Sequence, residues 1–464
     1  MYCAAIVHLQ NPKSKANRHI PAAQKLWGGF LTGLMATTLF VTARGVAPAA
    51  GFGLPVALAT NNLGGYKVSS ALDTNADAIA LWSGQYNYRP GATGEWSAAQ
   101  SFGGTGSPTQ TVHMMATGDA TAVWVANTTG IYTADLPNGG TWSAPALLAT
   151  GTTVPAPLFV MNSRGDAGVV FYTLGSTGEI VAYRRAAGAS IWGSQEVVTT
   201  APGGSYVTLS GAAMGEAGDF AVAWQTHERS CSRFCVDVNF ILHVSREQLA
   251  GTTWQDSGPL NAGVNNPGYS AFPVVDARGR AAVIYVPPFA PTISAQTQAR
   301  YGALWGNAAT AYTASSSALL SGANITNSGQ ITVAALDLGA TGTTVVTFDG
   351  KVTTNIWNPA TYLSSASGDP SGVVALASFG GNVNGAAAVV WGDGDGTMRA
   401  AARRGITAPW GATQTINGPV PCGNLGPTCS GPLAASVNTD GHAVVIFATS
   451  NADFTSFDIW ASSE

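Results

Sequence analysis

Short apolar segments that end in an aromatic residue recur along the chain after residue 50. The eight segments are Ala78–Trp82, Thr121–Trp124, Gly168–Phe171, Ala221–Trp224, Ala282–Tyr285, Val345–Phe348, Ala388–Trp391 and Val444–Phe447. Their terminal aromatic residues lie 42 to 63 residues apart. Short apolar runs rich in valine are typical of strands that are buried on both faces. The pattern therefore predicts eight repeats, each built around one buried strand.

The residues on either side of each buried strand predict further strands in the same repeat. Turns rich in Gly, Asn and Asp precede it, as at 73–76, 162–165, 276–279 and 438–441. Such residues tolerate positive φ and join antiparallel strands in hairpins. A second tryptophan then opens another predicted strand in seven repeats, at Trp96, Trp142, Trp192, Trp254, Trp305, Trp357 and Trp410. Repeats of about 40 to 60 residues with about four strands are typical of propeller blades.

The two ends of the chain complement each other. The eighth repeat stops 17 residues after Phe447, whereas Gly53–Thr60 is similar to Ser143–Thr150 of the second repeat. We therefore expect Gly53–Thr60 to pair with the strand near Phe454–Trp460 and to complete the last blade. The predicted fold is all-β, a single β-propeller of about eight four-stranded blades closed by N- and C-terminal strands. Seven blades are the alternative if the diverged sixth repeat is only a hairpin, and a two-domain β-sandwich is the runner-up.

Composition and charge exclude several classes of protein. Charged residues make up 9% of the chain and hydrophobic residues 46%, which excludes a disordered chain and a coiled coil. Residues 1–50 hold five basic residues and no acid, so residues 51–464 carry 15 basic against 24 acidic residues. Nucleic acid binding needs a basic stripe that displaces counterions. The acidic balance of residues 51–464 excludes nucleic acid as a partner.

The first 50 residues have the order of a secretory signal. A basic stretch ends at Lys25, an apolar run covers 27–43, and small residues follow at 46–50. This order predicts a leader at 1–50 and a propeller domain at 51–464, with a secreted, periplasmic or cell-surface location. An uncleaved membrane anchor is the alternative for the leader. We expect no membrane span in the mature chain and a monomeric protein.

Two repeats keep the end of a known motif. Gly139-Gly140-Thr141-Trp142 and Gly251-Thr252-Thr253-Trp254 match the G-x-T-W end of the sialidase Asp-box, S/T-x-D-x-G-x-T-W. The box aspartate would fall at Pro137 and Leu249, so both boxes are degenerate. With the repeat, this resembles secreted bacterial β-propellers with sialidase-type (BNR-like) repeats. The resemblance implies the architecture and not the activity.

A sialidase would also need three arginines that clamp its substrate, a Tyr/Glu nucleophile pair and an Asp acid/base. Arginines do precede the second tryptophan of several repeats, at Arg89, Arg184, Arg185, Arg300, Arg403 and Arg404. Because their position follows the repeat, we interpret them as structural, stacked on the nearby tryptophan.

The fourth repeat contains the one stretch of high polar density. It has 30 residues between Trp224 and Trp254, whereas the other repeats have 9 to 21 between the corresponding aromatic residues. An insertion after the second strand lies on the face that also carries the loops entering the innermost strands, where propellers commonly bind ligands. The predicted binding rim there consists of His227, Glu228, Arg229, Arg233 and Asp237. A surface loop held rigid by a disulfide is the alternative.

Three functions are compatible with these observations. The first is an exported binding module for a glycan or an extracellular protein, since Trp and Tyr are abundant for stacking on sugars. The second is a polysaccharide-active enzyme with its site in the propeller funnel, either a lyase using His227 or His113 or a sialidase-like glycosidase. The third is a structural surface protein. A funnel lined by Ala, Gly and Val alone would exclude the enzyme.

No cofactor is expected. Calcium is the alternative, since 73–77 and 393–396 are similar to the beginnings of calcium loops, but both lack the later ligands.

Four cysteines form two close pairs, and we predict the disulfides Cys231–Cys235 and Cys422–Cys429. Short local pairs of this kind are common in chains from oxidising compartments. Because each disulfide closes a short loop, each should stabilise the fold by the lower end of about 2–4 kcal/mol. Mass spectrometry of unreduced peptides should find both pairs, and four free thiols or crossed pairs would contradict the assignment.

Overall fold

The computed structural model describes residues 51–464 apart from short gaps. The gaps are 63–66, 104–108, 127–129, 151–156, 174–177, 203–204, 232–234, 249–250, 252, 263–269, 288–289, 340–341, 365–374, 394–396, 417–429 and 451–456. The predicted leader at 1–50 and the predicted pair Cys422–Cys429 lie outside the described residues. Within them the secondary structure consists of strands and turns, and no helix could cross a membrane.

The first half of the described chain begins with a single strand and continues with four antiparallel sheets. The single strand is β1 (Val56–Asn62). Blade one is β2 (Val68–Leu72), β3 (Ala78–Trp82), β4 (Gln85–Arg89) and β5 (Gln100–Ser101). Blade two is β6 (Gln110–Met114), β7 (Ala120–Ala126), β8 (Gly130–Leu136) and β9 (Ala146–Thr150). Blade three is β10 (Leu158–Met161), β11 (Ala167–Thr173), β12 (Glu179–Arg185) and β13 (Glu196–Thr200). Blade four is β14 (Ser205–Met214), β15 (Phe220–Cys231), β16 (Cys235–Glu247) and β17 (Gln255–Asp256), with β18 (Asn261–Ala262) also on β16.

The second half contains four more sheets of the same design. Blade five is β19 (Ser270–Val275), β20 (Ala281–Val286), β21 (Thr292–Gln298) and β22 (Ala309–Thr313). Blade six is β23 (Ser317–Ile325), β24 (Gln330–Gly339), β25 (Gly342–Lys351) and β26 (Ile356–Trp357), with β27 (Thr361–Tyr362) also on β25. Blade seven is β28 (Ala375–Gly381), β29 (Ala387–Gly392), β30 (Met398–Arg403) and β31 (Gln414–Thr415). Blade eight is β32 (Ser430–Val437), β33 (Ala443–Ser450) and β34 (Phe457–Ser463), completed by β1.

The eight sheets form a closed ring. The first strand of each blade contacts the first strands of the blades before and after it, and β32 of blade eight contacts β2 of blade one. The chain is thus an eight-bladed β-propeller, as predicted. The sixth repeat is a complete blade, so the seven-bladed alternative and the β-sandwich are both wrong.

Blade eight is closed by both ends of the domain, as predicted. β1 runs antiparallel to β34, with Val56 opposite Ala461 and Ala57 opposite Trp460. The order across this sheet is β1, β34, β33, β32. The N-terminal strand therefore takes the outer position that the C-terminal part of the chain leaves unfilled, and the last blade has a full set of strands.

The aromatic residues of the repeat fill the spaces between blades. The residues that end the predicted buried strands are almost inaccessible, as Trp82, Trp124 and Trp391 show. The second tryptophan of a repeat reaches the preceding blade. The Trp142 ring of blade two lies 5.7 Å from both the Tyr86 ring and the Phe102 ring of blade one. In blade two both aromatic residues of the repeat, Trp124 and Trp142, therefore pack against blade one.

Two arginines clamp neighbouring blades together and are structural, as interpreted from the sequence. Arg185 of blade three donates to Asp135 of blade two, with Nη1–Oδ2 at 2.8 Å, and its guanidinium lies 4.9 Å from the centre of the Trp192 ring. Arg403 of blade seven makes the same contacts. It pairs with Asp349 of blade six at 2.7 Å and lies 5.1 Å from the Trp410 ring.

The turns between the first and second strands of the blades are linked by hydrogen bonds on one face of the ring. The Nδ2 of Asn438 donates to the Asp73 carbonyl at 2.9 Å, and the Nδ2 of Asn382 donates to the Asn438 carbonyl. The Nδ2 of Asn324 donates to the Asn382 carbonyl at 2.5 Å. Blades six, seven, eight and one are therefore joined by a continuous series of amide hydrogen bonds.

The fourth residue of these turns has a positive φ and is glycine in most blades, as in Gly165 (φ 97°) and Gly441 (φ 87°). Blade one has Ala76 there, at φ 63°. This conformation costs an L-residue about 1–2 kcal/mol.

We predict that Ala76→Gly raises the free energy of unfolding by about 1 kcal/mol, measured by urea denaturation. Ala187→Gly is the control, because Ala187 lies in an exposed turn without positive φ. It should lower stability, and a loss in both variants would contradict the strain at Ala76.

Candidate functional site

The insertion predicted in the fourth repeat is an extension of the central strands of blade four. β15 has 12 residues and β16 has 13, whereas β11 and β12 of blade three have 7 each. The two strands stay paired until Cys231 lies opposite Cys235. At about 3.3 Å per residue, the extra residues carry this hairpin well beyond the ends of the neighbouring strands.

The register of the hairpin is compatible with the predicted Cys231–Cys235 disulfide. Directly opposed antiparallel residues have Cα atoms about 4.5–5.5 Å apart, within the range that a disulfide spans. The disulfide remains a prediction. Of the predicted rim, Arg233 lies outside the described residues, and for Arg229 and Asp237 only the backbone is described, as part of β15 and β16.

Three aromatic rings stack across the extended part of blade four. The imidazole of His227 lies between the Tyr206 ring, at 5.6 Å between centres, and the Phe240 ring, at 4.8 Å. Both pairs are close to parallel, at 21° and 20°. His227 is 7% exposed, Phe240 8% and Tyr206 39%. The stack therefore begins in the core and ends at an accessible tyrosine ring.

A β-bulge positions the stack. The pairing of β15 with β16 shifts between Thr226 and Glu228, and Asn239 on the opposite strand takes a left-handed conformation, with φ 58°. Asparagine tolerates this region better than most residues. The Asn239 Nδ2 donates to Oε2 of the exposed Glu228 at 2.8 Å. The bulge thus leaves Glu228 at the surface while His227 is enclosed by rings.

The ring encloses a central channel of about 530 Å³. Its walls come from the first strands of seven blades and include polar residues of blades two to four, among them Thr111, His113, Ser163 and Glu216. The channel is therefore not lined by Ala, Gly and Val alone, and its lining does not exclude an enzyme. The Ser163 hydroxyl donates to Glu216 at 2.6 Å and holds that carboxylate between blades three and four.

His113 lies in the channel wall and is held as a neutral imidazole. Its Nε2 donates to the Phe159 carbonyl at 3.1 Å, and the Phe159 ring meets the imidazole edge-on at 5.0 Å. Burial and the positive charge of Lys67 together lower the pKa of His113 to about 4, and the hydrogen bond to the Phe159 carbonyl opposes them only in part. A base with so low a pKa is poorly matched to proton abstraction near neutral pH.

The sequence analysis missed Lys67, which lies directly before the innermost strand β2. Its Nζ donates to Oγ1 of Thr111 on the neighbouring blade at 3.4 Å. Burial lowers the pKa of Lys67. The signal was present in the sequence, because Lys67 and Lys351 are the two lysines of residues 51–464.

Among the described residues, no three His, Cys, Asp or Glu side chains are grouped as a metal site would require. In the loop at 73–77, Oδ1 of Asp73 accepts the backbone N–H groups of Asn75 and Asp77 at 2.9 and 2.7 Å. This carboxylate stabilises a turn. Residues 394–396 of the second candidate loop lie outside the described part.

No family model and no curated protein matches this chain. Solved structures with a similar chain path include a lectin from Burkholderia pseudomallei, 14% identical, with a TM-score of 0.47 over 76% of this chain and 100% of the lectin. A mutant of the NanB sialidase from Streptococcus pneumoniae is 8% identical, with a TM-score of 0.39 over 90% of this chain and 93% of its own. An ulvan lyase is also 8% identical, with a TM-score of 0.47 over 74% and 92%. These likenesses are of architecture alone.

The low pKa of His113 predicts a pH dependence of stability. The unfolded chain binds a proton on this residue below about pH 6.5, whereas the folded chain does so only near pH 4. Stability should therefore fall as pH drops from 6.5 to 4. His113→Gln keeps a donor for the Phe159 carbonyl and should flatten the fall, measured by urea denaturation across this range. His442→Gln, at an exposed turn, is the control, and an equal change in both variants would contradict the assignment.

Proposed function

We propose that this protein is an exported glycan-binding module in which Tyr206 is the platform for a sugar ring. The observation that carries the proposal is the Tyr206–His227–Phe240 stack, which ends in a tyrosine ring that is 39% exposed. Aromatic faces pack against the C–H groups of sugars and retain a polar edge for their hydroxyls. The apolar and polar parts of a tyrosine suit a glycan better than a purely apolar ligand.

The platform is rigid before the ligand arrives. Tyr206 is paired with His227 across the two strands, and Phe240 fixes the other face of the imidazole from β16. Phe240 itself belongs to the buried cluster between blades four and five. A ring held on one side by two others loses little conformational freedom on binding, which favours affinity.

The enclosure of His227 favours binding over lyase chemistry at this position. A general base must present a ring nitrogen to the proton that it abstracts, whereas His227 is buried and its Nδ1 lies 3.4 Å from Oγ1 of Thr208. The proposed location outside the cytoplasm has the support of the signal-like order of residues 1–50. The glycan is the proposed partner, and an extracellular protein is an outcome that the test can return.

Tyr206→Ala should weaken binding of the best glycan from an array screen about three- to tenfold, because an aromatic contact contributes about 0.5–1.5 kcal/mol beyond its area. Affinity would be measured by isothermal titration calorimetry. Tyr362→Ala is the matched control, since Tyr362 is 62% exposed on the outer strand β27 of blade six, and it should bind as wild type does.

Equal affinities of the two tyrosine variants would contradict the platform. The same glycans should be monitored for the ultraviolet absorbance of an unsaturated uronate. If His227→Ala abolishes turnover, the protein is a lyase and not a binding module. If it binds only a protein ligand, the proposed glycan ligand is wrong.

A further inference from the structure

Lys67 is a partly buried cation that faces no anion among the described residues. In the part of the chain that the structure describes, its hydrogen-bond partner is the neutral hydroxyl of Thr111, at the long distance of 3.4 Å, and no carboxylate lies within ion-pair distance. Burying a charge without a counter-charge is costly, so buried cations are normally paired. The same chain pairs its buried arginines, as Arg185 with Asp135 shows.

The ammonium group contacts a residue in the wall of the central channel. Its partner Thr111 lines the channel, and so does His113, two residues further along the same strand. Side chains two apart on a strand point to the same side. The charge of Lys67 also lowers the pKa of His113.

Lys67 is at the end of the channel that opens on the face of the extended hairpin. It comes directly before β2, where the chain enters the innermost strand of blade one. In an antiparallel blade, this end of the first strand lies on the same face as the turn between the second and third strands. That turn in blade four is the tip of the β15–β16 hairpin, so Lys67 and Tyr206 lie towards the same face of the propeller.

We propose that Lys67 and Thr111 form an anion subsite at the mouth of the channel, which binds a carboxylate or sulfate group of the glycan. The ammonium supplies the counter-charge, and the Thr111 hydroxyl donates a second hydrogen bond. The inference rests on the proposed glycan-binding function and adds to it the chemical class of the ligand. The neutral His113 below the subsite offers no competing charge.

The test compares three hexasaccharides by isothermal titration calorimetry: a hyaluronan hexasaccharide for carboxylate, a κ-carrageenan hexasaccharide for sulfate, and cellohexaose as a neutral probe. Lys67→Met should weaken binding of the acidic probe that wild type prefers about ten- to a hundredfold, the worth of a charge-assisted hydrogen bond. The variant should leave the affinity for cellohexaose unchanged. Lys351→Met is the control, because it removes the other lysine of the domain, which is exposed at the end of β25.

Two further readouts separate a binding role from a structural one. Lys67→Met removes a partly buried charge without a counter-charge and should raise the melting temperature, whereas the loss of a structural contact would lower it. Lys67→Arg keeps the charge and should retain a preference for the acidic probe. A lower melting temperature together with unchanged affinity for both acidic probes would overturn the subsite.

The outcomes also distinguish this inference from the proposed function. Glycan binding that Tyr206→Ala weakens and Lys67→Met does not would overturn the anion subsite and leave the platform intact. The opposite case, an anion subsite without a glycan platform, is tested by NMR. Sodium sulfate is titrated into protein whose lysines carry ¹³C-methyl groups. A saturable shift of the Lys67 methyl signals would support the anion subsite, and if no glycan of the array binds the same protein, the platform is contradicted while the subsite stands.

Discussion

Every blade of this propeller is apolar on both faces, so each sheet requires two neighbours. In β29 the successive residues Val389 and Val390 are both fully buried, yet Val389 packs in the cluster with blade six and Val390 in the cluster with blade eight. Val169 and Val170 of β11 divide in the same way between blades two and four. Such sheets cannot end in solvent, and closure of the ring by β1 on β34 is the step on which the remaining packing depends.

The same constraint limits where function can be placed. Because both faces and the inner strands of a blade are used in packing, a side chain can meet a ligand only beyond the ends of the strands or in the channel. In blade four the accessible side chains lie beyond the ends of the neighbouring strands, since β15 and β16 extend past them and Tyr206 is exposed there. Lys67 lies next to the channel, where its ammonium group contacts Thr111 of the channel wall. The stability of the ring and the chemistry of its rim are therefore set by different residues.

The architecture was predictable from the sequence because it is repeated. The blade pattern could be recognised several times, from the eight buried strands, the turns before them and the second tryptophans. The incomplete last repeat showed where the ring closes. The site was only partly predictable, since it occurs once. Periodicity placed the insertion in repeat four, but the stack of His227 between Tyr206 and Phe240 depends on a bulge at Asn239 that no repeat specifies. The contact of Lys67 with Thr111 joins two blades and is likewise absent from any local pattern.

The sparse charge of the domain bears on which acidic glycans it could retain. Residues 51–464 have nine more acidic than basic residues, so a densely charged polyanion would be repelled over distances up to the Debye length, about 8 Å at physiological salt. A lysine partly buried near the channel mouth is screened less than a fully exposed charge and acts over a hydrogen-bond distance. The combination favours a glycan whose acidic groups are spaced among neutral sugars. In the proposed complex one acidic group would meet Lys67, while a neutral ring would pack on Tyr206 without adding to the repulsion.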